Sequence, residues 1–383
     1  MANFDRKKFI SDIKRVVLKI GSSMLTDTEG NLLESRFLDI AEQVSELRNK
    51  GIEVIIVSSG AIASGMKKLG IEEMATDIHT KQAIAACGQS SLIWSYEQAF
   101  SKFNINVAQI LLTHNGFSDR KRFLIARKTV QRLLEMGIIP VVNENDTVAI
   151  EEIMIGDNDN LAALVTSLTE ADLMILLTNI DGIYREDPRK NKNAEFIPII
   201  NEIDNEIEKI DGGTSGKTTT GGMKTKIEAV KKASAFGVAS VVANGENSYA
   251  ISRIFEGEDY GTFVLPSQDK LRARKHWIAY NLKASGELTL DEGAKEAILN
   301  KGKSLLPSGI KKIQGNFGLG DCILCLDESG MEFARGITSY SSEELQKIAG
   351  VKTTEIEEIL GYKYSDEIIH RDDLAVVLKN NEK

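Results

Sequence analysis

The chain has 383 residues, 42% of them hydrophobic and only 5 of them proline, enough to bury more than one core and to make two or three domains. Its formal net charge of −9, with 56 Asp and Glu against 47 Lys and Arg, disfavours a general polyanion binder. No stretch approaches the roughly 18 apolar residues of a membrane span, and the start, MANFDRKKFISDIKRVVLKI, lacks the apolar core of a signal peptide, so the cytoplasm is the expected location.

The first two thirds of the chain alternate between two periodicities. VVLKI at 16–20 is a β-branched run of strand type, the segment 34–51 has helical spacing with a glycine stop, and EVIIVSS at 53–59 is a second strand. The pattern repeats. A helix near 80–103 precedes INVAQILL at 105–112, a helix near 119–137 precedes IIPVVN at 138–143, and a helix near 158–169 precedes DLMILLT at 172–178. Uniformly apolar strands, each followed by a helix, predict an α/β fold: a mainly parallel sheet between two helical layers. In such sheets ligands collect beyond the carboxyl ends of the strands.

Those ends hold the unusual residues: GSS at 21–23, SGAIASG at 59–65, ENDTVAI at 144–150 and NIDGIYREDPR at 179–189. A glycine before a helix lets backbone amides and the positive helix end approach an anion, although a glycine turn after a strand is often only a turn. Lys19 stands inside an apolar strand, one residue before such a turn. It can place its ammonium over the loop, or snorkel to water at the strand end.

In EIMIGDNDNLAALV at 152–165, four short polar residues, Asp157 to Asn160, precede a helix. One of them suffices for an N-cap, so three are surplus. Cys322 and Cys325 form a C-x-x-C in a short strand, where side chains three apart point to opposite faces. With no second pair to complete a four-ligand zinc site they read as structural, as does Cys87 in its helix. GKT at 216–218 is not a Walker A site, since the glycine required five positions earlier is Asp211 and the preceding segment is polar. The next segment, TGGMKTK at 220–226, carries glycines, threonines and lysines into a helix, either as a phosphate-binding loop or as a mobile surface loop.

Taken together, K-x-G-S at 19–22, VSSGAIASG at 57–65, VNENDTV at 142–148, GDNDNL at 156–161, TNIDGIYREDPR at 178–189 and TGGMKTK at 220–226 resemble the amino-acid kinase family, and within it the members that phosphorylate glutamate. Downstream, GELTLDEGAKEAIL, GKSLLPSGI, GNFGLGD and ARGITSYSSEEL resemble a PUA domain. The division expected is a kinase domain at 1–265, a linker at 266–283, a small, mainly-β PUA domain at 284–362 and a tail at 363–383.

The resemblance implies ATP-dependent phosphorylation of the γ-carboxylate of L-glutamate, the first step of proline biosynthesis. It implies catalytic roles for Lys19, Lys226 and Asp159, and glutamate contacts from Ser59, Gly60, Asn143, Asp146 and Asn158. ATP would be held by Lys19, Gly21, Ser22, Thr178, Asn179, Thr220, Gly221, Gly222, Met223, Lys224, Thr225 and Lys226. Mg²⁺ would arrive on the ATP phosphates, without a dedicated set of protein ligands. The family usually has Thr-Asp where this chain has Thr178 and Asn179, which puts one nucleotide contact in question. Further implications are a homo-oligomer, feedback inhibition by proline, and hand-over of a labile product to glutamyl phosphate reductase. Sister kinases acting on acetylglutamate, aspartate, carbamate or UMP would not be expected to carry both VNEND and a PUA-like tail. An RNA-binding role is disfavoured by the charge of 284–362, eight Lys and Arg against 13 Asp and Glu.

Overall fold

The apolar runs in the middle of the sheet form strands that are buried on both faces, while that at 107–112, on the sheet edge, is half-buried and exposed in alternation; glycines and polar residues follow the strands along one edge. In the computed structural model, residues 4–27, 29–73, 77–113, 117, 120–148, 158–188, 190–191, 193–208, 210, 222–267, 275, 278–279 and 282–377 are described. The chain divides into two compact units, Met1–Ser118 with Ile125–Ser267, and Asp119–Leu124 with Gln268–Lys383.

In the first unit, eight strands among the described residues form one sheet: β1 (Arg15–Ile20), β2 (Glu53–Ser58), β3 (Val107–Leu112), β4 (Ile139–Glu144), β5 (Leu173–Thr178), β6 (Ile199–Ile200), β7 (Ala239–Asn244) and β8 (Thr262–Val264), in the order β3-β4-β2-β1-β5-β7-β8-β6. All pairings are parallel except β7 with β8. β1 lies between β2 and β5, with Ile20 level with Ser58 on one side and Leu177 on the other. The loops that follow these strands are therefore neighbours, although more than a hundred residues separate some of them.

The two-residue period of β1 decides which face each of its side chains meets. Val16, Leu18 and Ile20 enter a core with Phe37, Ile40 and Val44 of the helix Glu34–Asn49 and with Leu92, Tyr96 and Phe100 of the helix Ile78–Ser101. Lys19 points to the other face, where it meets the helix Asn158–Thr169. The helices Ala61–Leu69 and Ile78–Ser101 approach each other on glycine: a β-carbon on Gly65 would lie 1.9 Å from the Ile84 carbonyl oxygen, and one on Gly88 1.8 Å from that of Ala61. Only glycine permits this contact, which fixes the start of the shorter helix against the longer one.

In the second unit, β9 (Ala284–Leu290), β10 (Ile310–Gly315), β11 (Cys322–Leu326), β12 (Glu332–Ile337) and β13 (Leu374–Val376) form a mixed sheet in the order β10-β9-β11-β12-β13. Its core gathers Leu288, Leu290, Ile298, Ile323, Tyr340 and Leu345. Cys325 joins that core, and burial pushes its thiol up to about 12, as befits an inert packing residue.

Two segments differ from the sequence expectation. Ile278 and Ala279, inside the expected linker, are buried with Ile337 and Ala375. Ile368, Ile369 and Leu374, inside the expected tail, are core residues, and β13 pairs with β12. Both segments carry short apolar runs, WIAY at 277–280 and LAVVL at 374–378, set among charged residues.

Candidate active site

Lys19 and Lys226 reach one carboxylate from two elements. Lys19 Nζ lies 2.6 Å from Asp159 Oδ1 and Lys226 Nζ 3.0 Å from Asp159 Oδ2. Asp159 is 1% exposed and each lysine 6%, so this is a buried charge cluster that carries two positive charges and one negative. Burial opposes ionisation of Asp159, but the charges of Lys19 and Lys226 outweigh it and hold the carboxyl below the usual carboxylate range. Asp159 also stands in the first turn of the helix Asn158–Thr169, where the helix dipole favours a negative group. Thr225 donates a hydrogen bond to Asp159 Oδ2 at 3.0 Å.

The opposite readings of Lys19 are separated here by a single fact: its ammonium does not reach bulk water. It turns inward to Asp159, because the strand face opposite Leu18 is covered by a helix. Lys226 comes from the helix Met223–Ala235, which begins on Gly222 without a side-chain cap. The helices Ser22–Leu25 and Ala61–Leu69 begin in the same way on Gly21 and Gly60. Their first-turn amides are free of capping side chains. Gly60 has φ 109°, a conformation in which a β-carbon would be strained.

A second polar cluster adjoins the first through Asn158. Its Nδ2 lies 2.8 Å from Ser58 O, 2.9 Å from Ser59 Oγ and 3.0 Å from Asn143 Oδ1. Asn143 Oδ1 accepts the Glu144 N–H at 2.8 Å, which makes it the acceptor and sets the Asn158 amide with its nitrogen facing these groups. Asn158 Oδ1 is buried with no hydrogen-bond partner among the described residues. A buried acceptor of this kind suits an N–H or O–H donor.

Asp146 follows β4 in a turn. Burial, then the charge of Glu144, pushes its carboxyl up to about 7, against a hydrogen bond from Gln89 that holds it down. Thr178, buried, ends β5; Asn179 beside it is exposed, and the Thr178 hydroxyl lies 3.4 Å from Asn179 Oδ1. Met223 is buried and Lys224 exposed on the helix that carries Lys226. Thr220 and Gly221 lie outside the described residues, as does Asp157. The polar residues at the start of the helix Asn158–Thr169 have separate partners. Asn158 faces the second cluster, Asp159 the lysines, and Asn160 Oδ1 accepts from Lys232 Nζ at 2.5 Å, tying two helices together.

Sequence reasoning passed over Gln89 and the buried pair Ser58 and Tyr96, whose hydroxyls lie 2.9 Å apart beneath the Ser59 turn. The signal for Gln89 was present: it is a glutamine on the apolar face of AIAACGQSSL.

A parallel sheet whose central strand delivers a lysine to a buried aspartate, faced by a second lysine at a glycine-led helix start, defines a phosphoryl-transfer enzyme of the amino-acid kinase type. The family profile described as "Amino acid kinase family" matches residues 14–244, and that described as "PUA domain" matches 286–360. The chain is 48% identical over 373 residues to the glutamate 5-kinase of Citrifermentans bemidjiense, covering 97% of this chain and 100% of that protein. It is 49% identical over 372 residues to that of Geobacter sulfurreducens, with the same coverage, and 51% identical over 369 residues to that of Caldanaerobacter subterraneus subsp. tengcongensis, covering 96% and 99%. The chain belongs to the glutamate 5-kinase family.

Proposed function

We propose that the chain transfers the γ-phosphoryl group of ATP to the γ-carboxylate of L-glutamate, giving L-glutamyl 5-phosphate and opening the route to proline. The observation that carries this reading is the convergence of Lys19 and Lys226 on the buried carboxylate of Asp159. A carboxylate nucleophile is already ionised at neutral pH and needs no general base. It repels the triphosphate, so what the enzyme supplies is alignment and positive charge. Two ammonium groups sharing one carboxylate keep a net positive charge in a water-poor site, available to the phosphoryl group as its charge spreads in the transition state. Asp159 sets the spacing of the two lysines before substrate enters.

Glutamate is held on the side of Asn158. The orphaned Oδ1 of Asn158 and the carboxylate of Asp146 suit its α-ammonium, and the Ser59 hydroxyl, the turn at Gly60 and Asn143 complete that wall. ATP lies along Gly21, Ser22, Thr178, Asn179 and the segment 220–226, with its phosphates toward Lys19 and Lys226. Mg²⁺ is carried to the site by the ATP phosphates. When bound, Mg²⁺ neutralises part of the phosphate charge. The same reading places the chain in the cytoplasm, as a homo-oligomer inhibited by proline that passes its labile acyl phosphate to a reductase. Among the described residues no helix is long and apolar enough to cross a membrane.

The test is an amino-acid screen with ATP, Mg²⁺ and hydroxylamine, which traps an acyl phosphate as a hydroxamate. Glutamate should give the strong signal. A strong signal with aspartate or acetylglutamate and none with glutamate would overturn the assignment.

A further inference from the structure

We infer that Tyr96 is a positioning residue of the glutamate site: through the Ser58 hydroxyl it fixes the Ser59–Gly60 peptide, so that the Ser59 hydroxyl and the Gly60 N–H present two donors to a carboxylate of the substrate. The inference rests on the reading above, in which this turn holds glutamate.

Tyr96 and Ser58 are both fully buried. The two-residue period of β2 puts Ser58 on the face of Val54 and Ile56, in the layer of the helices Glu34–Asn49 and Ile78–Ser101. There the Tyr96 ring stands edge-on to Phe37, with centroids 4.8 Å apart, and its hydroxyl lies 2.9 Å from Ser58 Oγ. Ser58 Oγ in turn donates to Ser59 O at 3.1 Å. Counting hydrogens sets the direction of this chain. A carbonyl can only accept, so the one hydrogen of the Ser58 hydroxyl goes to Ser59 O, and the Tyr96 hydroxyl donates to Ser58 Oγ. The reverse order would leave the Tyr96 hydrogen buried with no acceptor among the described residues, and would take from Ser59 O its donor.

The consequence lies on the other face of the sheet, where the helix Asn158–Thr169 packs against Lys19. In a trans peptide the N–H points opposite to the carbonyl, so drawing Ser59 O toward Ser58 Oγ turns the Gly60 N–H away from Tyr96 and toward Asn158. Ser59 N is already bonded to Ile20 O at 3.1 Å, whereas Gly60 N has no partner among the described residues. The Ser59 hydroxyl lies 2.9 Å from Asn158 Nδ2, an amide nitrogen that cannot accept, so its hydrogen too is left for a ligand. Two donors that face one way suit a carboxylate. Tyr96 does not reach the substrate itself; it acts through a peptide whose carbonyl has no other donor among the described residues.

The experiment compares Tyr96→Phe, Ser58→Ala, the two combined, Phe100→Leu and Ser59→Ala in the full-length chain, with KM for glutamate, KM for ATP, kcat and melting temperature measured for each. Tyr96→Phe keeps the ring and should raise KM for glutamate about fivefold, the scale of one hydrogen bond between uncharged groups. KM for ATP and kcat should stay within about twofold. Ser58→Ala removes the donor to Ser59 O directly, should raise KM for glutamate about tenfold, and decides the matter if Tyr96→Phe does not fold. It also strands the buried Tyr96 hydroxyl, so its melting temperature should fall, and adding Tyr96→Phe should restore much of that loss, since neither partner is then left unpaired. KM for glutamate should stay raised in the combined variant. A KM that recovers together with the melting temperature would make the bond a structural one and overturn the inference. Phe100→Leu loosens the same core without touching either hydroxyl; it should lower the melting temperature and leave KM for glutamate unchanged, and a rise equal to that of Tyr96→Phe would overturn the inference as well.

Ser59→Ala separates two failures. If it raises KM for glutamate while folded Tyr96→Phe and Ser58→Ala leave that constant unchanged, Tyr96 is only a packing residue. If Ser59→Ala itself leaves KM for glutamate unchanged, glutamate is not held at this turn and the inference falls with that reading.

Discussion

Replacing Asp159 with asparagine removes one negative charge and keeps the side chain's shape. In the parent, Lys19 Nζ and Lys226 Nζ lie 2.6 and 3.0 Å from the two carboxylate oxygens, all of them buried. At an effective dielectric constant of about 20, unit charges about 3 Å apart attract by about 6 kcal/mol, most of which offsets the desolvation of the ions. What the variant uncovers is two buried ammonium groups with no carboxylate between them, a defect of about 3–5 kcal/mol. Asp159→Asn should lose that much stability in urea unfolding followed by circular dichroism. It should also lower kcat by about 10² or more in the hydroxamate assay. The pH dependence follows from the direction of the shift. The folded-state pKa of Asp159 lies below its unfolded value of about 3.9, so its stabilisation is complete above that value and is lost only as pH falls through the folded one. The gap between parent and variant should stay level from pH 8 to about 5 and close only in strong acid. Removing all three charges, with Lys19→Met and Lys226→Met added to Asp159→Asn, should recover most of the stability while leaving the enzyme inactive. A triple variant as unstable as the single one, or a single variant as stable as the parent, would refute this account of the cluster.

Lys19→Met and Lys226→Met should each lower kcat by about 10² or more, the scale of losing one transition-state charge contact; near-normal turnover in either would remove that lysine from the mechanism. Gly88→Ala places a methyl group 1.8 Å from the Ala61 carbonyl oxygen, so it should destabilise the chain by about 1–3 kcal/mol and raise KM for glutamate by displacing the turn at Gly60. An unchanged melting temperature would show that the two helices separate freely. A chain ending after Ser267, where the first unit ends, should keep kcat within about tenfold of the full chain, a barrier change of about 1.4 kcal/mol. A folded, ATP-binding truncation without phosphoryl transfer would mean that the second unit supplies part of the site.

What the sequence determined by itself is local and periodic. Uniformly apolar runs such as VVLKI and LMILLT read as strands buried on both faces, and the small and polar residues after them mark where those strands end. Alternation along β1 already separates Lys19 from Leu18 and Ile20. The roles expected for Asn158 and Asp159 are implied by resemblance alone, since four polar residues before a helix do not say what each one touches. That was decided by tertiary structure. The strand order β3-β4-β2-β1-β5-β7-β8-β6 sets β1 between β2 and β5, and the packing around it brings Lys19 and Lys226 onto the carboxylate of Asp159. Likewise, nothing local distinguishes Asn160, which ties two helices through Lys232, from Asn158, whose amide oxygen is left without a partner among the described residues. The apolar run LAVV at 374–377, inside the expected tail, finds its place as β13 only by pairing with β12. A sequence pattern specifies the face and period of an element, which depend on neighbours a few residues away. Which elements meet depends on packing between segments far apart in the chain, and a buried polar group takes its role from the partner it finds there.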